Sequence, residues 1–216
     1  MTAYLNPAQI KAMLLETAQI IIDSRDELCR LDSLIGDGDH GVGMSHGFTA
    51  AKNKLEFEEA EEAAKLLRVF GMAIISGAGG ASGPLFGGLF LEGARVLKGR
   101  PALTAAEAVQ WWRAALEATK SRGGAKPGDK TMVDALHPAV EAMEALAATP
   151  QGADLAAVLA AGARAARAGA EKTKEYVASQ GRSRYVGERA LGHQDAGATS
   201  TAIILETLAR FAASAG

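Results

Sequence analysis

The sequence predicts an all-α protein, a bundle of about eight antiparallel helices with essentially no sheet. Apolar residues recur at three- and four-residue spacing along most of the chain, several of these runs open on a helix-capping side chain, and no segment alternates at period two between turn residues. Four glycine-rich segments interrupt the helices and hold most of the clustered polar residues.

Asn6 followed by Pro7 is a cap and first-turn pair, after which Ile10, Met13, Leu14, Ala18, Ile21 and Ile22 mark a first helix ending near Cys29. A second, shorter helix is expected over 44–55. The third covers 58–75, with Leu66, Leu67, Phe70 and Ile74 as its apolar side, and Pro84 opens a fourth through Lys98. Thr104 and Glu107 form a capping-box pattern for a fifth helix, which carries Ala105, Val109, Trp112 and Leu116 on one face and stops before Gly123. Asp129 is the expected cap of a sixth helix containing Met132, Leu136, Val140 and Met143, and Asp154 of an alanine-rich seventh reaching toward Gln180. The eighth spans 198–213.

At 216 residues and 48% hydrophobic content, the chain can bury a core without disulfides or a structural metal, and its length suits a single domain over 1–216. The 23 basic and 25 acidic residues are dispersed, leaving a formal charge of −2 and no basic block, so a nucleic-acid partner is not expected. Cys29 is the one cysteine; it can form neither an internal disulfide nor a cysteine zinc site, which suits a cytoplasmic location. Asn6, Pro7 and Gln9 stand where a signal peptide would need an apolar run, and eighteen consecutive apolar residues occur nowhere, so no export or membrane partner is expected.

Chemistry is expected in the four interrupting segments, 35–47, 76–88, 121–134 and 181–200. Asp32, Asp37 and Asp39 lie close together, and Gly36, Gly38 and Gly41 let the chain fold so that the carboxylates converge. Such hard oxygen donors select magnesium or calcium; an aspartate-rich turn with side-chain caps is the structural alternative. An EF-hand is excluded, because Gly41 and Phe48 stand at the positions fifth and twelfth from Asp37 where carboxylates are required. In the second segment, consecutive glycines and Ser82 precede a helix, an anion-binding arrangement in which Ser82 donates a hydrogen bond to phosphate; close helix packing through small residues is the structural alternative. A nucleophile elbow fails at Pro84. In the third, Gly123 and Gly128 have Walker spacing, but Asp129 stands where lysine must follow, so a P-loop is rejected; Asp129, Lys130 and Thr131 still place charge and a hydroxyl at the head of the sixth helix, with an ordinary cap and a solvated Lys130 as the structural alternative. In the fourth, Arg182, Arg184 and Arg189 suit phosphate or ribose contacts, or pairing with Glu188. Among the histidines only His40, beside two aspartates, is a candidate site residue.

The motifs IGDGDHG (35–41), GGASGPLFG (79–87), PGDKTMVDAL (127–136) and GERALGHQDAGATS (187–200), in order across nearly the whole chain, resemble the L subunit, or nucleotide-binding domain, of dihydroxyacetone kinases. The resemblance implies an eight-helix antiparallel barrel, with ADP or ATP and two magnesium ions (Mg2+) held by the loops at one end. It implies Asp32, Asp37 and Asp39 as metal ligands, and as nucleotide contacts His40, Gly41, Val42, Gly43, Ala81, Ser82, Gly123, Met132, Arg182, Asp195, Ala196 and Gly197. Ala196 departs from the proline common in the family.

In the similar family the ketose is held covalently by a histidine of a separate K subunit, so no general base is assigned here. The implied partners are that K subunit and, in one regime of the family, a phosphocarrier subunit of the phosphotransferase system that rephosphorylates bound ADP; in the other, ATP is the donor. A homodimer is a further expectation. The rival readings are a tetrulose (erythrulose) kinase subunit, a fatty-acid kinase nucleotide domain, which would be followed by a lipid-binding domain, and a non-enzymatic ADP-sensing module that binds a regulator.

Overall fold

Asn6 opens the first helix through a reciprocal capping box: its side chain accepts the Gln9 N–H at 2.9 Å, and the Gln9 side chain accepts the Asn6 N–H at 3.0 Å. The computed structural model describes residues 2–215. It comprises α1 (Pro7–Asp23), α2 (Arg25–Ser33), α3 (His40–Glu56), α4 (Ala63–Gly77), α5 (Ser82–Val96), α6 (Ala105–Gly123), α7 (Val133–Ala147), α8 (Leu155–Lys172) and α9 (Ala196–Ser214). A two-residue antiparallel ribbon pairs β1 (Tyr4–Leu5) with β2 (Leu103–Thr104).

The expected first helix is two. At Ser24 the backbone leaves helical geometry, and both its N–H and its hydroxyl donate to the Ile20 carbonyl, which ends α1 and lets α2 depart at a new angle. The second helix begins at His40 rather than Met44, so the Gly-Val-Gly run lies inside its first turn. The seventh stops at Lys172, after which short 3-10 turns carry the chain to Ala190. Asp129 does not cap the sixth; the Asp134 carboxylate does the local work, accepting the N–H groups of Thr131 and Gly128 at 2.7 and 2.5 Å.

Around the molecule, α1 packs on α3, then each helix packs on the next through α9, which returns against α1. Eight helices therefore close a ring, with α2 added outside the sequence of staves, laid on α3 and α9. Inside the ring, Phe48, Phe70, Phe90 and Trp111 meet edge-on or tilted, with Phe70 and Phe90 centroids 4.8 Å apart, and the Trp111 indole donates to the Leu89 carbonyl at 2.7 Å. Among the described residues no helix is long and apolar enough to cross a membrane.

Alternation of direction around the ring brings the N-termini of α3, α5, α7 and α9 to one end. At the other end Asn6, Thr104 and Asp154 cap α1, α6 and α8 with their own side chains, leaving only α4 of that set without such a cap.

Candidate functional site

The four N-termini gathered at one end surround a cleft of about 480 Å³. Neither Asp39 before α3 nor Ala81 before α5 caps its helix with a side chain, so these helix ends present N–H groups and the positive ends of their dipoles to the cleft. The walls are partly apolar, with Val42, Leu85, Phe86 and Met132 among them. A cleft with open helix N-termini and partly apolar sides suits an anion joined to a flat apolar group.

Asp32 from the last turn of α2 and Asp37 and Asp39 from the loop after it bring carboxylate oxygens within 4.8 Å of one another. That span is close to the ~4.2 Å between opposite oxygens of an octahedral ion with ~2.1 Å bonds, so the donor set fits magnesium. A β-carbon at Gly36 would lie 2.4 Å from Asp32 Oδ1, which explains why glycine stands there. Asp32 Oδ2 accepts the His40 N–H at 3.2 Å, fixing the carboxylate to the first residue of α3.

The His40 ring lies between Ser200 Oγ, 2.8 Å from Nε2, and Ser82 Oγ, 3.4 Å from Nδ1. Ser200 gives its own proton to the Ala196 carbonyl, so Nε2 carries the imidazole hydrogen and Nδ1 is the acceptor toward Ser82. Burial lowers the His40 pKa to about 4 against the opposing charge of Asp32, leaving a neutral ring at pH 7. Asp195 caps α9 by accepting the Ala198 N–H at 2.7 Å. Withdrawal from water pushes its pKa up to about 7, opposed by that hydrogen bond and by Lys130.

Of the residues expected in the site, Asp32, Asp37, Asp39, His40, Val42, Gly43, Ala81, Ser82, Met132, Arg182, Asp195, Ala196 and Gly197 line the cleft. Gly41 and Gly123 do not. Gly41 faces α2, where a β-carbon would meet the Arg25 carbonyl at 2.1 Å, so it serves helix packing. Gly123 closes the last turn of α6. Arg184 lies over the Tyr185 ring, and neither it nor Arg189 lines the cleft, whereas Arg182 reaches the carboxylates of Asp37 and Asp39.

Several cleft residues were not singled out from the sequence, among them His46, Leu85, Phe86, Gln180 and Lys130. Lys130, expected in solvent, is buried. Asp129, expected as a helix cap, is also buried; it accepts from the Lys126 N–H at 2.8 Å and the Ser179 hydroxyl at 2.7 Å, tying the third glycine-rich segment to the chain just before the fourth.

Comparison with known proteins accords with this geometry. The DAK2 domain profile matches residues 34–210. The ADP-binding subunit DhaL of the PEP-dependent dihydroxyacetone kinase of Escherichia coli (strain K12) is 38% identical over 205 residues, covering 95% of this chain and 97% of that protein. The ADP-binding subunit DhaL of the PTS-dependent dihydroxyacetone kinase of Lactococcus lactis subsp. lactis (strain IL1403) is 32% identical over 188 residues, 87% of this chain and 88% of that one. The crystal structure of the dihydroxyacetone kinase from C. freundii in complex with AMP-PNP and Mg2+ superposes with a TM-score of 0.72 at 28% identity, over 94% of this chain. This chain spans about a third of that larger one, 34% of its length. With the domain profile matching most of the sequence and a relative aligned nearly end to end, the chain belongs to the DAK2 domain family.

Proposed function

We propose that this chain is the nucleotide-binding subunit of a two-component dihydroxyacetone kinase, which transfers phosphoryl from a magnesium-bound adenine nucleotide to a ketose held by a separate K subunit. The observation that carries the reading is the convergence of four helix N-termini and three clustered carboxylates on one partly apolar cleft. Two relatives of nearly matching length, both named as ADP-binding subunits of dihydroxyacetone kinases, support it over a tetrulose kinase, a fatty-acid kinase domain or a sensor.

Asp32, Asp37 and Asp39 would hold two magnesium ions, which supply neutralisation of phosphate charge. The N-terminal turns of α3 and α5, with Val42, Gly43, Ala81 and Ser82, orient the phosphates through N–H and hydroxyl donors. His40, neutral and pinned by Ser200, fixes the Ser82 hydroxyl beside them. Met132, Phe86 and Ala196 give the base an apolar surface, and Arg182 adds a movable positive charge. No base in this chain abstracts the ketose proton; that chemistry falls to the partner.

Because these relatives are named PEP-dependent and PTS-dependent, we assign the phosphocarrier-fed regime, in which ADP stays bound and a phosphocarrier subunit recharges it. The reading takes 1–216 as one L-type domain, working in the cytoplasm; a homodimer, its third partner expectation, is checked by sedimentation equilibrium.

The test is phosphate transfer to dihydroxyacetone by purified chain, a K subunit and magnesium, with an Asp37→Ala variant alongside. One stoichiometric turnover with ATP, becoming continuous with phosphocarrier and PEP and lost in the variant, is expected. Sustained turnover with ATP alone would replace the donor assignment, and no transfer in any mixture would sink the kinase reading.

A further inference from the structure

Lys130 lines the cleft but has no role in the function proposed above, and it is 1% exposed. Lysine is almost never that buried unless its ammonium is paired. Here Nζ donates to two backbone carbonyls, Thr173 O and His193 O, each at 2.5 Å. The first lies just past the C-terminal end of α8, where a cation also meets the negative end of the helix dipole. Lys130 is moreover the one non-glycine among the described residues with a left-handed backbone, at φ 60°. A residue with a β-carbon holds that conformation only where its surroundings over-determine it, and the two carbonyls do so here.

The placement of these contacts gives the ammonium a task. Lys130 stands two residues before Met132, which lines one wall of the cleft. His193 stands two residues before Asp195, where the adjoining wall, Asp195 to Gly197, begins, and a β-carbon at Gly197 would lie 3.7 Å from Met132 N. Thr173 joins the same cluster a second time, because its hydroxyl accepts the Asp195 N–H at 2.9 Å. One side chain thus fastens the loop before α7 to the chain entering α9, at the point where both meet the cleft.

We infer that Lys130 is a positioning residue for the nucleotide: its ammonium locks the two adjoining wall segments, 131–132 and 195–197, in the register that binds adenine nucleotide, and its left-handed backbone is the strain tolerated to bring the ammonium there. This rests on the nucleotide-binding reading above and assigns affinity to a residue outside the acidic cluster.

The experiment compares the full chain with Lys130→Met, which keeps the stem and removes the ammonium, and Lys130→Gly, which relieves the backbone and removes the side chain. Lys130→Gln, which keeps N–H donors for the carbonyls, and Leu159→Ala, a core change in α8 remote from the cleft, complete the set. Titration calorimetry with Mg-ADP is run well below each melting temperature. The Kd is expected to rise at least tenfold in Lys130→Met and Lys130→Gly and less in Lys130→Gln, while Leu159→Ala lowers Tm and leaves Kd unchanged. Hydrogen exchange without nucleotide should quicken in both 126–134 and 173–197 of the Met variant and stay unchanged in α4 and α5.

A Lys130→Met or Lys130→Gly protein that binds Mg-ADP within twofold of the parent overturns the inference, as does a Gln variant no better than Met. If the Met variant does not fold, the Gly and Gln proteins decide it by the same criterion. Failure of the parent chain to bind Mg-ADP would count against the nucleotide reading itself, whereas exchange confined to one of the two segments would count against the coupling alone.

Discussion

The Arg182 guanidinium pairs with the Asp37 carboxylate, and with Asp39 at 3.5 Å, so a side chain from the fourth glycine-rich segment sits on the acidic cluster formed beside the first. The pair is substantially exposed and solvent-screened, worth no more than about 1 kcal/mol. On the proposed reading, Arg182 would compete with cations for these oxygens in the nucleotide-free protein and would be free to pair with phosphates once they arrive. Arg182→Ala should therefore bind Mn2+ up to about fivefold more tightly without nucleotide and bind Mg-ADP more weakly. Electron paramagnetic resonance and calorimetry read the two effects, and changes of the same sign would refute the exchange of partners.

Gly36→Ala should damage the acidic cluster while sparing the helices. The new β-carbon would lie 2.4 Å from Asp32 Oδ1, so the carboxylate must turn away. A tenfold or greater loss in Mg-ADP affinity is expected, with a Tm change of only a few degrees. Unaltered affinity would mean that Asp32 tolerates another rotamer.

Asp195 makes stability pH-dependent with a definite sign. Its folded pKa, about 7, lies well above the ordinary aspartate range, so the folded state keeps a proton that the unfolded chain releases. The associated stability is fully present below about pH 4 and is lost as pH rises through 7. Asp195→Asn lacks that titration but keeps an oxygen for the Ala198 N–H. In magnesium-free urea melts, the stability of the parent relative to Asp195→Asn should fall between pH 4.5 and pH 7.5; a flat difference would contradict the raised pKa.

Phe90→Ala should cost about 3–5 kcal/mol, because it empties a fully buried position that contacts three other aromatic rings. Urea denaturation measures this directly. A loss under about 1 kcal/mol would show that the ring interior closes around the gap.

The helices were legible because each needed only its own residues: Asn6, Thr104 and Asp154 cap as their spacing indicates, and the apolar stripes face the ring. The three aspartates were legible for the same local reason, since they lie within eight residues of one another. What escaped depends on partners distant along the chain. Gly41 and Gly43 look alike in sequence, but one faces α2 and the other the cleft, and only the rotation of α3 separates them. Lys130 read as solvated because nothing near it announces two carbonyls 43 and 63 residues away. Asp134 takes the local role expected of Asp129, whose carboxylate is engaged by Ser179, remote in sequence. The extra helix arises from Ser24, an ordinary residue whose two bonds to one carbonyl break an apolar pattern that continues beyond it.

The ring closes only where α9 returns to α1, and the residues opening α9 are also a wall of the cleft. During synthesis, every earlier helix can leave the ribosome and pack on its neighbour while the cleft still lacks that wall. On the proposed reading the nucleotide site is complete only when this last stave has docked, and bound nucleotide would stabilise the docked α9. The ligand would then act as a clasp on the last stave, and resistance of α9 to proteolysis should track nucleotide occupancy more closely than that of α1, which does not reach the cleft.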